Sequence, residues 1–386
     1  MTDGITGGQL RAMSYEELES LCEELRRNII ESVMANGGHL SSNLGMVELT
    51  VALHYVFDFP RDKVVFDVGH QCYAHKMLSG RAAGFAKLRK RGGVSGFPKR
   101  EESAYDCYNT GHAGTSVSAA MGIAKARDLS GKDYSVIAVI GDGSFNNGLV
   151  YEAFNSLRQL NTNILVIIND NGMSISPTVG SMHEYLGQLA TDSVEQLHRA
   201  RRADIFEKFG FDYDGVYDGN DLRAMIERLT DIKGRLKTQS VILHILTKKG
   251  KGYSFCEENP EATHGIGAKP ALEYSEVLGR QLCAMAENDG RITAVTAAMT
   301  GSLGLSEFFE RYPGRAFDVG ICEEHATVLC AALAAEGYKP YYAVYSTFLQ
   351  RSFDEGGGCG LGGGWVGGGG VGGGGAGGAG GGAARW

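Results

Sequence analysis

Tyr134-Ser-Val-Ile-Ala-Val-Ile-Gly-Asp-Gly-Ser144 is the stretch on which the fold turns. Its apolar, β-branched part has strand character and runs directly into Gly141-Asp142-Gly143-Ser144. A helical stretch, Leu149 to Leu160, comes next. A second apolar run, Asn163 to Ile168, then ends in Asn169-Asp170-Asn171. Strand, helix and strand in this order predict a parallel pair whose carboxyl ends lie side by side, where α/β sheets bind ligands. An aspartate at one end and an asparagine amide at the next suit a hard divalent cation that also holds a phosphate. The glycines let the backbone approach a diphosphate, and the following helix turns its amino end toward it.

The same rhythm extends in both directions. Upstream, Ser14-Tyr-Glu-Glu17 reads as a capping box opening a helix that stops at Gly37-Gly38. A polar loop, His39 to Gly45, leads to a helix from about Met46 to Phe57, and Lys63 to Asp67 is a short strand ending in Gly69-His70. Thr110 to Ser116 feeds a small-residue helix, Val117 to Leu129. Downstream, 182–209 reads as mostly helix. Asp212 to Val216 and Ser240 to Thr247 are strands, with a helix capped by Asn220 or Asp221 between them. A new α/β unit begins near Ala271, with strands at 291–296, 317–321 and 340–345 and a small-residue helix after Cys322-Glu-Glu-His325. The expected class is therefore α/β, mostly parallel sheets flanked by helices, in two consecutive units. The boundaries are 1–255, a linker at 256–270, a partial second unit at 271–355 with too few strands to close a core, and a glycine-rich tail at 356–386. That tail has too few side chains to bury and is expected to be disordered; it reads as a truncation, a frameshift or another artefact rather than as a native linker.

At 386 residues and net charge −8, the chain is long enough for two cores and carries no charge bias toward nucleic acid or anionic membranes. Its eight cysteines show no zinc spacing and are expected to be reduced thiols. No secretory signal or membrane-length apolar run is seen, which points to the cytoplasm.

Several further stretches carry a resemblance. They are Gly37-Gly-His-Leu-Ser-Ser-Asn-Leu-Gly45, Asp67-Val-Gly-His-Gln-Cys-Tyr73, Ser95 to Ser103, Ile140 to Gly143, Asn169 to Asn171 with Met173-Ser-Ile-Ser176, Thr247 to Tyr253, and Phe317 to Asp354. With the glycine-aspartate motif they resemble the 1-deoxy-D-xylulose-5-phosphate synthase family of transketolase-like thiamine-diphosphate enzymes, over residues 10 to 355. The resemblance implies a thiamine-diphosphate-binding fold, thiamine diphosphate with Mg²⁺, and a homodimer. The implied reaction decarboxylates pyruvate and transfers its two-carbon unit to D-glyceraldehyde 3-phosphate, feeding isoprenoid, thiamine and pyridoxal synthesis.

Residue by residue, the resemblance implies that Asp142 and Asn171 bind the metal through side chains and Met173 through its carbonyl. Gly143, Ser144, His70, Gly111, His112, Ala113, Asn171 and Tyr253 would contact the cofactor. Glu323 would hydrogen-bond its aminopyrimidine, with Phe348 stacked on the ring. His39, His70 and His264 would act on the substrates, and Tyr345 and Arg351 would hold the acceptor phosphate. Plainer readings stand beside these: Asp142 as a turn or cap, Glu323 as a helix-start carboxylate, Phe348 as a core aromatic. His54, His183, His198 and His244 are read as structural.

The chain departs from the family at Ala113, where serine is usual, at Ser144 to Asn147, and in a shortened 176–206 segment. It also lacks family sequence after Glu355, which puts the activity of the chain by itself in question. The competing readings are another thiamine-diphosphate enzyme, such as transketolase or a pyruvate dehydrogenase component, and an inert cofactor-binding fragment.

Overall fold

The apolar strands predicted from the sequence form the centre of a five-stranded sheet in the computed structural model, which describes residues 5–174, 177–191, 204–267 and 274–356. In chain order the strands are β1 (Gly38–His39), β2 (Lys63–Phe66), β3 (Val136–Gly141), β4 (Leu165–Asp170), β5 (Phe211–Asp218), β6 (Ser240–Leu246), β7 (Gly265–Ile266), β8 (Ile292–Thr296), β9 (Ala316–Asp318) and β10 (Lys339–Ala343). The large sheet has the order β2-β3-β4-β6-β5, and every pairing in it is parallel. Val136 to Ile140, Leu165 to Ile168 and Val241 to Leu243 are all essentially inaccessible. Strands apolar on both faces belong inside a parallel sheet covered by helices, where each buried side chain contributes about 1.5–3 kcal/mol.

Local signals set the helix limits. Ser14 accepts from Glu17 N–H (3.2 Å) and Glu17 returns a bond to Ser14 N–H (2.7 Å), opening the helix Tyr15–Asn36. Asp221, not Asn220, caps Leu222–Arg235. The helix expected from Leu149 starts at Gly148, capped by Asn147, and a separate short turn of helix, Asp142–Phe145, precedes it. Of the predicted helix 182–209, Ser181–Thr191 and Asp204–Phe209 are helical, and the rest lies outside the described residues.

The chain divides into two units, Met1–Gly172 with Tyr185–Ala268, and Met173–Glu184 with Lys269–Trp386. The stretch read from sequence as a linker from 256 is structured up to Gly267. Residues 254–258 are helical, and β7 pairs antiparallel with β1 inside the first unit. Ordinary backbone pairing has captured a segment whose composition alone looked like a connection. The second unit carries the parallel sheet β10-β8-β9. Its strands and helices gather a buried cluster that includes Leu282, Ile292, Val295, Phe308, Cys330 and Tyr342. The glycine-rich tail lies outside the described residues from 357 onward. Among the described residues no helix is long and apolar enough to cross a membrane.

Candidate active site

Four adjacent parallel strands end on one edge of the large sheet, and each is followed there by a candidate site residue. His70 follows β2, Asp142 follows β3, Asn171 follows β4 and Lys249 follows β6. The register puts Gly141 opposite Asn169 and Asp170 opposite Leu246, so these ends are level. Asp142 is 1% exposed and begins the short helix that also carries the buried Gly143 and Ser144. Lys249 lies in the Thr247 to Tyr253 stretch that carries the resemblance, and the sequence gives it no role. It is in fact buried, and burial pulls its ammonium down to about 8 against the attraction of the Asp142 and Glu261 carboxylates. Its position just past a strand end was the one available signal.

His39, His70 and His264 come together. Their ring centroids are 5.4 Å (His39–His70), 5.3 Å (His39–His264) and 5.5 Å (His70–His264) apart. The β1–β7 pair does this by setting His39 opposite Gly265, next to His264. Asn43, 1% exposed, fixes the other side. Its amide donates to the carbonyls of His39 (2.9 Å) and His70 (2.6 Å), while its oxygen accepts from Tyr73 N–H (2.9 Å). The turn into His70 is strained: Val68, a β-branched residue, has φ of 59°. Phe97 lies 5.8 Å from the His39 ring.

Burial pushes the His70 imidazole down to about 3, with Lys249 adding to the effect. His39 and His264 are held well below the usual histidine range, first by burial and then by neighbouring imidazoles and Lys249. All three are therefore neutral at pH 7, and the Nδ1 of each is buried with no hydrogen-bond partner among the described residues.

The 111–116 loop is tied down by Asp67, which accepts from Gly114 N–H (2.9 Å) and Ser116 N–H (3.0 Å). Gly114, at φ +77°, lets the loop lie against Asn147; a Cβ there would come 2.5 Å from Asn147 Oδ1. This holds His112 and Ala113 in place, while Gly111 is exposed with open space around it. Tyr253 packs on the first unit's core and lies 6.2 Å from the Phe255 ring. Met173 bridges to Pro177 within the segment that divides with the second unit.

In the second unit, Glu323 opens the helix Glu323–Ala335 after β9 and is 2% exposed. Burial raises its carboxyl above the ordinary range, with Arg351 opposing. Arg351, which the resemblance makes a phosphate contact, has its Nε 3.7 Å from Glu323 Oε2, and that oxygen accepts no hydrogen bond among the described residues. Phe348 packs against the second core, 6.2 Å from the Tyr345 ring.

Asp142 and Asn171 offer hard oxygens of the kind Mg²⁺ takes, and Lys249 adds a cation beside them, so the residues present fit a metal-bound diphosphate. Three partnerless ring nitrogens fit a polar ligand nearby. Among the described residues no group of three or more His, Cys, Asp or Glu side chains is arranged to hold a metal, which separates the histidine cluster from a zinc centre.

Residues 5–204 and 192–247 match the family model described as 1-deoxy-D-xylulose-5-phosphate synthase, and 270–378 match the transketolase pyrimidine-binding domain. A relative from Desulforudis audaxviator, named 1-deoxy-D-xylulose-5-phosphate synthase, is 46% identical over 92% of this chain. The chain belongs to the 1-deoxy-D-xylulose-5-phosphate synthase family. A synthase of the same name from Nitrosomonas europaea is also 46% identical, over 90% of the chain. The chain spans 62% of the length of both relatives. Transketolase from Campylobacter jejuni shares the fold at a TM-score of 0.52 and 20% identity, covering 88% of this chain and 67% of its own. A transketolase variant from Pichia stipitis does so at 0.52 and 16%, covering 87% and 66%. The synthase family thus has here the parallel sheets and flanking helices of transketolase.

Proposed function

We propose that the chain carries the cofactor-binding machinery of a thiamine-diphosphate- and Mg²⁺-dependent synthase. Its reaction would be the conversion of pyruvate and D-glyceraldehyde 3-phosphate to 1-deoxy-D-xylulose 5-phosphate and CO₂. The observation that carries this reading is the row of His70, Asp142, Asn171 and Lys249 along one sheet edge, together with the three-histidine cluster built beside β1 and β7. When bound, the cofactor supplies an electron sink for decarboxylation and carbon–carbon bond formation.

Asp142 and Asn171 hold the metal through their oxygens, with the Met173 carbonyl as a third protein ligand. Gly143, Ser144, His112 and Ala113, with Gly111 and Tyr253, line the cofactor, and Lys249 offsets negative charge at the diphosphate. Glu323, kept from easy ionisation by burial, is suited to share a proton with a ring nitrogen, and Phe348 to stack on that ring. The neutral His39, His70 and His264 orient pyruvate and pass protons at the acceptor aldehyde, because an uncharged imidazole both donates and accepts. Tyr345 and Arg351 receive the acceptor's phosphate, a role for which Arg351 would have to turn from Glu323. The enzyme works as a homodimer in the cytoplasm, and the net charge of −8 supports a protein without a nucleic-acid partner.

Two measurements on the full chain test this. Calorimetry with thiamine diphosphate and Mg²⁺ should give saturable binding that Asp142→Ala abolishes. Carbon-13 NMR with labelled pyruvate and glyceraldehyde 3-phosphate should give labelled CO₂ and deoxyxylulose phosphate. Binding without product would overturn the synthase assignment and leave the cofactor site; no binding would overturn both.

A further inference from the structure

β6 reads Ser240-Val-Ile-Leu-His-Ile-Leu246, a strand buried from Ser240 to Ile245 and interrupted by one imidazole. His244 is 0% exposed, and a polar ring in such a place costs free energy unless both nitrogens are bonded. Both are. Nδ1 lies 2.8 Å from the Tyr213 hydroxyl in β5, and Nε2 lies 3.1 Å from Asp170 Oδ2 at the end of β4. Burial pushes the Tyr213 phenol up, so it keeps its proton and donates it. The Asp170 carboxylate can only accept, so Nε2 carries the hydrogen toward it, and the Tyr213 hydroxyl faces Nδ1. The ring fits because β5 has Gly215 opposite it; a Cβ there would come 2.8 Å from that of His244. Phe206 stacks on Tyr213 at 5.3 Å and 14°, holding the far end of the chain of bonds.

The near end is where a function enters. The other oxygen of Asp170 accepts from Gly172 N–H at 3.0 Å, and its carbonyl accepts from Thr247 N–H at 2.9 Å. Asn171 is thus the middle residue of a turn closed by Asp170 on one side and by Gly172, at φ +70°, on the other. The preceding Asn169 is held separately, by Gln71 (2.8 Å) and by the Thr247 hydroxyl.

We propose that Tyr213, His244 and Asp170 are positioning residues that set the Asn171 turn in the orientation a divalent cation needs. This rests on the reading of Asn171 as a metal ligand. Partners one step behind a metal ligand orient it, and losing one typically lowers metal affinity about 10–100-fold. The plain alternative is that the three residues only cross-link β5, β6 and β4.

The test uses the full chain with thiamine diphosphate, Mn²⁺ as probe, and electron paramagnetic resonance to measure free Mn²⁺; thermal melting is followed in parallel. Asn171→Ala and Asp142→Ala examine the underlying reading, and both should lose Mn²⁺ binding. His244→Leu should weaken Mn²⁺ by about 10–100-fold. His244→Gln, whose amide can still donate to Asp170, should recover most of that loss. Tyr213→Phe, a small change that serves if His244→Leu fails to fold, should weaken Mn²⁺ by roughly 10-fold. If Asn171→Ala loses Mn²⁺ while a folded His244→Leu or Tyr213→Phe keeps it, even with a lower melting temperature, the three residues are merely structural and the proposal falls. If Asn171→Ala and Asp142→Ala both keep wild-type affinity, the metal-ligand reading fails on its own account and takes the proposal with it.

Discussion

The three clustered histidines should make the fold acid-sensitive in a way that one substitution can isolate. His70 has its imidazole at about 3 in the folded chain against 6.5 as its ordinary value. Between those limits the unfolded chain holds one more proton than the native one, so stability falls as pH falls, by about 1.4 kcal/mol per pH unit for this group. Above 6.5 both states are neutral and the effect vanishes. At pH 5 the deficit from His70 alone is therefore about 2 kcal/mol, a sizeable part of a typical domain's stability of roughly 5–15 kcal/mol. His39 and His264 add deficits of the same sign, because burial lowers them as well.

His70→Asn removes the titrating ring but spares the backbone carbonyl that Asn43 holds. Urea unfolding of wild type and variant, followed by circular dichroism at half-unit steps from pH 7.5 to 4.5 (sampling points chosen around the ordinary histidine range), gives ΔG against pH. The variant's curve should be flatter by about 1.4 kcal/mol per unit below pH 6 and parallel to wild type above pH 7. Slopes agreeing within about 0.5 kcal/mol per unit throughout would refute the reasoning. They would mean that the cluster opens and protonates without global unfolding.

Asn43→Ala removes three hydrogen bonds around a side chain 1% exposed; at about 1 kcal/mol each it should lower stability by about 3 kcal/mol in urea titration, and a loss under about 1 kcal/mol would contradict the assigned role. Glu323→Gln should abolish turnover in the labelled-pyruvate assay yet raise the melting temperature at pH 7. A carboxyl raised by burial is bound to its proton more tightly in the fold, so its penalty grows as pH rises through the gap between unfolded and folded values and is full above the folded one. The stabilisation should therefore shrink as the pH is lowered toward the unfolded carboxyl range, and a melting temperature lowered at pH 7 would count against it.

The residues themselves determined the strands and several caps. Val136 to Ile140, Leu165 to Ile168 and Val241 to Leu243 are continuous apolar runs, and a run buried on both faces can be read without knowing its neighbours. Ser14 and Asp221 cap their helices through bonds spanning three residues, so their signal is local. The Asp142 and Asn171 placements followed from the same strand–helix–strand logic.

Only the tertiary structure decided the rest. His39 and His264 meet through β1 and β7, strands of two residues each, too short to leave any periodic trace. Lys249 is given no role by the sequence, yet its place past β6 buries it beside Asp142. His244, read as structural, acquires its partners from β4 and β5, and Arg351 meets Glu323 across a helix, β10 and a short helical turn. The physical reason is the same in each case. Periodicity and capping are encoded over a few neighbouring residues, whereas burial, charge pairing and the contact of two rings depend on which distant segments the backbone pairing brings together.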